Sequence, residues 1–176
     1  MPAMPVDRQL QSWLLAPGSL TARLRQYGRV EVLVQRQQAM ALWSPEQQDV
    51  QQRSGYVREV VLLLNGRPAV WARSATSLAA IRGPWRAMQG LGARPLAELL
   101  FAARPVARAP LRLQHLPRSG ALQSHIRRQW LQLEQRGAQE GVPQWARSSV
   151  FWHRGHALRV MEAFSPWVCT MDATAA

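Results

Sequence analysis

The stretch YVREVVLLLNGRPAVWAR, residues 56 to 73, constrains the fold more than any other part of the chain. Asn-Gly between two strand-like runs is the strongest short-range sign of a two-residue hairpin turn, because both turn residues must take positive φ. With Asn65 and Gly66 in the turn, Leu64 faces Arg67, Leu62 faces Ala69 and Arg58 faces Arg73. Opposed like charges destabilise a sheet. Arg58 also shares its face with Tyr56, Val60, Leu62 and Leu64, which reads as a core face. An arginine so placed lies on a surface, pairs with a distant acid, or lines a pocket for a carboxylate, whose two oxygens suit its planar fork of N–H donors. Glu59 cannot be that acid, since the next residue of a strand points to the other face.

A second hairpin, SSVFWHRGHALRVMEAF at 148 to 164, repeats the pattern. With Arg154-Gly155 as its turn, Arg147 falls opposite Glu162, and Glu162 is the one charge on a face with Leu158, Val160 and Phe164. A carboxylate there is paired, hydrogen-bonded or turned toward a cavity, because burying it bare costs at least several kcal/mol. The bridge to Arg147 and the cavity are both open readings. Two neighbouring antiparallel hairpins with short helical stretches between them predict an α+β fold, a single antiparallel sheet with helices packed against it.

The helical stretches are read from caps and spacing. Gln9 to Leu15 forms a short helix broken at Pro17-Gly18, and Ser19 caps a second that carries Leu20, Leu24 and Tyr27 and stops at Gly28. Val30 to Val34 reads as a strand, followed by a polar, Gln-rich stretch to about Arg53. Pro84 opens a short helix over Trp85, Met88 and Leu91, and Pro95 another over Leu96 to Phe101. Arg108, Pro110, Arg112 and Gln114 alternate with their neighbours as an edge strand would, and Ser124 to Gln139 reads as an amphipathic helix with Ile126, Trp130 and Leu133 inward.

At 176 residues the chain fits one domain. Eight tryptophans and 47% hydrophobic residues argue for a filled core. The single cysteine, Cys169, excludes an internal disulfide framework. The N-terminus shows neither a signal peptide nor a membrane span, and a cytoplasmic location is expected. A net charge of +12, from 22 arginines without a lysine, raises a nucleic-acid reading. Half of that excess, +6, sits in residues 104 to 136, and the spacings of familiar nucleic-acid modules are missing, so no nucleic-acid partner is expected. His153 and His156 flank a turn with no third ligand nearby, so they read as surface residues, and no metal site is expected.

Five segments in order, WLLAPGSLTARLRQYG (13–28), VREVVLLLNGRPAVWAR (57–73), LGARPLAELLF (91–101), ARSS (146–149) and LRVMEAFSP (158–166), resemble the chorismate pyruvate-lyase family of bacteria. The resemblance implies a single domain over residues 1–176 with an enclosed ligand cavity; the chain departs from the family in a longer, arginine-rich segment between Phe101 and Arg147, expected to be a helical insertion near 104–142. It implies a lyase that converts chorismate to 4-hydroxybenzoate and pyruvate at the start of ubiquinone biosynthesis, acting as a monomer without metal or organic cofactor. Carried over by motif, Arg58 and Glu162 are the catalytic and substrate-binding pair. Leu20 and Leu96 are further substrate contacts, both in the first turn of a predicted helix, where backbone N–H groups lack intrahelical acceptors. Arg73 is expected to support the basic end of the ligand or to meet its enolpyruvyl carboxylate. Ala146-Arg147-Ser148 stands where the family has two arginines before serine, so no ligand role passes to Arg147. The alternative is a non-catalytic sensor of aromatic carboxylates, since the ligand-binding domain of some bacterial regulators resembles this lyase fold.

Overall fold

The computed structural model describes residues 8–102, 106–133 and 141–171. Among these, seven strands form one antiparallel sheet: β1 (Val30–Ala41), β2 (Ser54–Leu64), β3 (Arg67–Thr76), β4 (Ala107–Arg108), β5 (Arg112–His115), β6 (Trp145–His153) and β7 (His156–Phe164). Their spatial order is β1-β2-β3-β7-β6-β4, with β5 also pairing with β6. The helices are α1 (Arg8–Leu14), α2 (Leu20–Arg25), α3 (Ser44–Val50), α4 (Leu78–Arg82), α5 (Ala97–Leu100), α6 (Ala121–Leu131) and α7 (Pro166–Cys169).

Both hairpins form where turn chemistry predicts. Asn65 and Gly66 take φ of 51° and 80°, and Arg154 and Gly155 take 49° and 76°, the positive values a mirror-image turn requires. The second hairpin keeps one register throughout, with Arg147 opposite Glu162. The first does not. Leu64 faces Arg67 and Leu63 faces Pro68, but Leu62 faces Val70, so Ala69 is an extra residue on β3. Proline has no amide hydrogen to give to the ladder, and a bulge at that point accommodates it. Beyond the bulge Arg58 faces Ser74, and Arg73 faces Glu59. The expected opposition of Arg58 and Arg73 is therefore corrected: the two side chains lie on opposite faces of the sheet.

Each face has its own core. On one, Val60, Leu62, Leu64, Val70 and Phe164 pack with Trp13 and Leu14 of α1 and with Leu20 and Leu24 of α2. Next to that cluster, Val160, Leu158 and Phe151 pack with Ala80 and Ile81 of α4, Trp85, Met88 and Leu100. On the other, Trp71, Val61, Leu63 and Met161 pack with Ile126 and Trp130 of α6. Trp71 also donates from Nε1 to Gln129 Oε1 at 2.6 Å, which gives a buried indole the partner it needs.

The helix expected at Pro84–Leu91 is only a 3-10 turn, Arg86–Met88, preceded by α4, whose cap Ser77 accepts from the Ala80 amide at 3.0 Å. The Gln-rich stretch after Val34 continues β1 to Ala41 and then forms α3. The arginine-rich segment is not wholly helical, since it supplies β4 and β5 as well as α6; the end of the helix expected over Ser124–Gln139 lies outside the described residues. No helix among the described residues is long and apolar enough to cross a membrane.

Candidate active site

The face carrying Arg58 holds a cleft between the sheet and the segments that open α2 and α5. Arg58, Val60, Ala72, Ser74, Val160 and Glu162 form part of its floor, and Leu20, Pro95 and Leu96 part of its roof. Counted with the solvent at its mouth, the space among these residues comes to about 630 Å³.

Arg58 is 2% exposed. Its Nη2 donates to the carbonyls of Gly92 at 2.9 Å and Arg94 at 3.1 Å, in the loop leading to Leu96. The buried Nε has no partner among the described residues. Burial pushes its pKa down, with Tyr56 acting weakly against that shift. A buried guanidinium with an unused N–H costs free energy until an anion arrives.

Glu162 stands on β7, two strands from Arg58, with its side chain 19% exposed. Two strand spacings and two residues along the strand set the Cα atoms of the pair about 12 Å apart on a flat sheet, room for an aromatic ring held at both ends. Its Oε2 accepts from Arg147 Nε at 2.6 Å. Arg147 is itself tied down, since its Nη1 donates to the carbonyls of Ala16 at 2.9 Å and Trp13 at 3.3 Å. Those carbonyls end α1 and begin the loop to α2, so one arginine fixes both the acid and the segment above it. The bridge and the cavity, open alternatives for Glu162 in the sequence, are both present.

Leu20 is the first residue of α2, whose cap Ser19 accepts from the Ala22 amide at 3.1 Å, and Leu96 immediately precedes α5. Both side chains line the cleft. Arg73 does not. It is 1% exposed behind the sheet, where Nε and Nη2 donate to Glu46 at 2.5 and 2.9 Å and Nη1 donates to Glu59. Its role as a ligand contact is thus corrected by the bulge at Ala69, which turns it away from the cleft. Desolvation lowers its pKa, but hydrogen bonds and charge from Glu46 and Glu59 outweigh this and raise it. Glu59 also accepts from Gln129 at 2.6 Å and lies 2.9 Å from His125 Nε2.

Among the charged residues of the cleft, Arg108 escaped sequence reading as a site residue. Arg108 of β4 faces Phe151 and lines the cleft, whereas Arg112 of β5 faces Ser148 and bonds to Asp49 at 2.7 Å behind the sheet. The register against β6 shifts by one residue between the two strands, at Pro110, so the alternation expected from Arg108 to Gln114 does not hold. With Arg58, Arg108 and Arg147 against Glu162, the lining carries a formal charge of +2. Among the described residues no three of His, Cys, Asp and Glu are grouped to hold a metal ion, and His153 and His156 face each other across the second turn.

The sequence model of a family described as chorismate lyase matches residues 3–171. A probable chorismate pyruvate-lyase of Azoarcus sp. (strain BH72) is 39% identical over 171 residues, covering 94% of this chain and 88% of that protein. One of Albidiferax ferrireducens is 38% identical, covering 88% and 82%. Among solved structures, the C-terminal domain of the histidine utilization repressor from Pseudomonas syringae pv. tomato str. DC3000 superposes with a TM-score of 0.57 at 14% identity, covering 82% of this chain and 97% of that one. PhnF from Mycobacterium smegmatis gives 0.56 at 14% identity, covering 90% and 70%. At such low identity these two share the fold alone.

Proposed function

Because the chain belongs to the chorismate lyase family, we propose that its cleft converts chorismate to 4-hydroxybenzoate and pyruvate, the first committed step of ubiquinone biosynthesis. The observation that carries the reading is the buried Arg58 with an unused Nε, sharing a cleft with Glu162 two strands away.

Chorismate carries a ring carboxylate, a ring hydroxyl para to it, and an enolpyruvyl ether with a second carboxylate. Loss of the ether oxygen together with the hydrogen on the hydroxyl-bearing carbon makes the ring aromatic. That gain supplies much of the driving force, so the protein's task is to hold one conformer and limit water. Arg58 binds the ring carboxylate through the N–H groups left over from Gly92 and Arg94. Glu162, steadied by Arg147, accepts a hydrogen bond from the ring hydroxyl. The backbone N–H groups of Leu20 and Leu96 face the ligand while their side chains shield it. The hydrogen passes either directly to the enolpyruvyl methylene within the substrate, or as a proton to Glu162 as general base, which then returns it to the methylene carbon of the departing enolpyruvate as this becomes pyruvate.

Purified protein mixed with chorismate in the presence of a chelator tests the reading. Pyruvate is followed by coupled reduction, and 4-hydroxybenzoate by its ultraviolet spectrum. Release no faster than the uncatalysed rate ends the lyase reading, and tight 4-hydroxybenzoate binding without turnover identifies a sensor. Arg58→Ala is expected to lose most binding and turnover while unfolding at a temperature near that of the parent; a fully active variant removes Arg58 from the site.

A further inference from the structure

We propose that Arg108 binds the enolpyruvyl carboxylate, so that the cleft selects a ligand with two carboxylates over one with a single carboxylate; this rests on the chorismate reading above. Arg108 is held in place by neutral groups. Nε donates to Ser149 Oγ at 3.3 Å, Nη1 donates to the Gly18 carbonyl at 3.4 Å, and the guanidinium lies 5.1 Å from the centre of the Phe151 ring. Ser149 gives its own hydrogen to the Ala109 carbonyl at 2.6 Å, which leaves its oxygen to accept from Arg108. No acid of the described residues forms an ion pair with Arg108. The cleft's single acid, Glu162, is 2.6 Å from Arg147. Burial, then the charge of Arg147, depress the pKa of Arg108, and Glu162 only partly offsets them. This cation is stabilised when an anion enters.

The order of the strands gives the anion its place. Across the sheet run Arg58 on β2, Glu162 on β7 and Arg108 on β4 beyond β6. Four strand spacings and a two-residue offset, since the row of Arg58 runs through Ser74, Val160 and Ser149 while Arg108 faces Phe151, put the Cα atoms of the two arginines about 20 Å apart on a flat sheet. Side chains on one face stand roughly perpendicular to the sheet, and each arginine can lean inward by at most about 6 Å, so the guanidiniums are between about 8 and about 20 Å apart. A six-membered ring bearing a carboxylate at one end and a carboxylated ether near the other, with a hydrogen bond at each end, falls within that range. Its two negative charges also match the lining's formal +2, whereas 4-hydroxybenzoate brings one.

The test compares two ligands on one variant. For Arg108→Gln, kcat/KM with chorismate is expected to fall between about 10-fold and 150-fold, the range for a lost charge-assisted hydrogen bond. The Kd of 4-hydroxybenzoate, measured by calorimetry, is expected to stay within about twofold of the parent value; that unchanged Kd also shows that the variant is folded. Arg58→Gln is expected to weaken both ligands. A fall of less than about tenfold with chorismate, or an equal loss for 4-hydroxybenzoate, overturns the assignment while leaving the lyase reading intact. An unmodified protein that does not turn over chorismate overturns both.

Discussion

Glu59→Gln tests whether the charges behind the sheet hold the fold together rather than the ligand. In the native chain Glu59 is fully buried and takes hydrogen bonds from Arg73 and Gln129, with His125 against the same oxygen as Arg73. Burial works to raise its pKa, but the hydrogen bonds of His125, Gln129 and Arg73 outweigh it and hold the carboxyl at about 2, against 4.5 for a free glutamate. That gap corresponds to about 3 kcal/mol of folding free energy. Since the folded-state value lies below the unfolded one, this stability is present in full above about pH 4.5 and is lost as pH falls toward about 2. At pH 7 the variant should therefore lose about 3 kcal/mol, or roughly 6–12 °C in Tm for a chain of this size. The acid-induced loss of stability below pH 5 should also flatten. Urea unfolding followed by tryptophan fluorescence at pH 7 and pH 3.5 measures both effects. KM for chorismate should not change, because Glu59 points away from the cleft. Unaltered urea stability at pH 7, or a large rise in KM with stability intact, would refute the placement of this network.

Three further outcomes follow from individual contacts. A β-carbon added at Gly55 would lie 2.2 Å from the Thr76 carbonyl oxygen, so Gly55→Ala should cost about 2 kcal/mol or more in urea unfolding, and an unchanged midpoint contradicts the close approach of β2 and β3 there. Arg147→Met releases Glu162 and two carbonyls at once; a loss of about 3 kcal/mol is expected, together with a lower kcat/KM because the acid is no longer held, and normal values for both measurements count against the clamp. Burial pushes the Cys169 thiol up to about 12, so a thiol reagent at pH 8 should react slowly with the native protein and quickly in urea, whereas equal rates would show the sulfur to be accessible.

The parts of the site legible in the sequence are those set by local turn chemistry. Asn65-Gly66 and Arg154-Gly155 announced their hairpins, and in the second the expected register holds from the turn back to Arg147 and Glu162. Arg58 and Glu162, which line one cleft, stand out in the sequence because each is a charge on an otherwise apolar strand face. Both register errors fall at prolines. Pro68 sits beside the bulge that turns Arg73 away from the cleft, and Pro110 sits at the shift that separates Arg108 from Arg112. Proline inside a strand was the available signal, since it breaks the ladder and period-2 counting must restart after it. What local pattern could not supply is the pairing of distant segments. Nothing near Arg73 in sequence points to Glu46, and nothing near Arg58 points to the carbonyls of Gly92 and Arg94.

The extra residue Ala69 also bears on how such a chain can change length over evolution. Insertions or deletions in loops shift no side chain across the sheet, but the bulge sets which of two adjacent residues, Arg73 or Ser74, meets the ligand space. Deleting Ala69 with the Asn-Gly turn retained would remove the bulge and leave an unbroken ladder in which Arg73 still faces Glu59 and Ser74 still faces Arg58. Closing the bulge without a deletion, by pairing Ala69 with Leu62, would instead place Arg73 opposite Arg58, add a third unit of positive charge to the cleft, and leave Glu46 and Glu59 buried without their shared counterion. A lineage carrying this pairing is therefore expected to tolerate the loss of Ala69, and to keep the proline that breaks the ladder at Pro68 wherever Ala69 is retained.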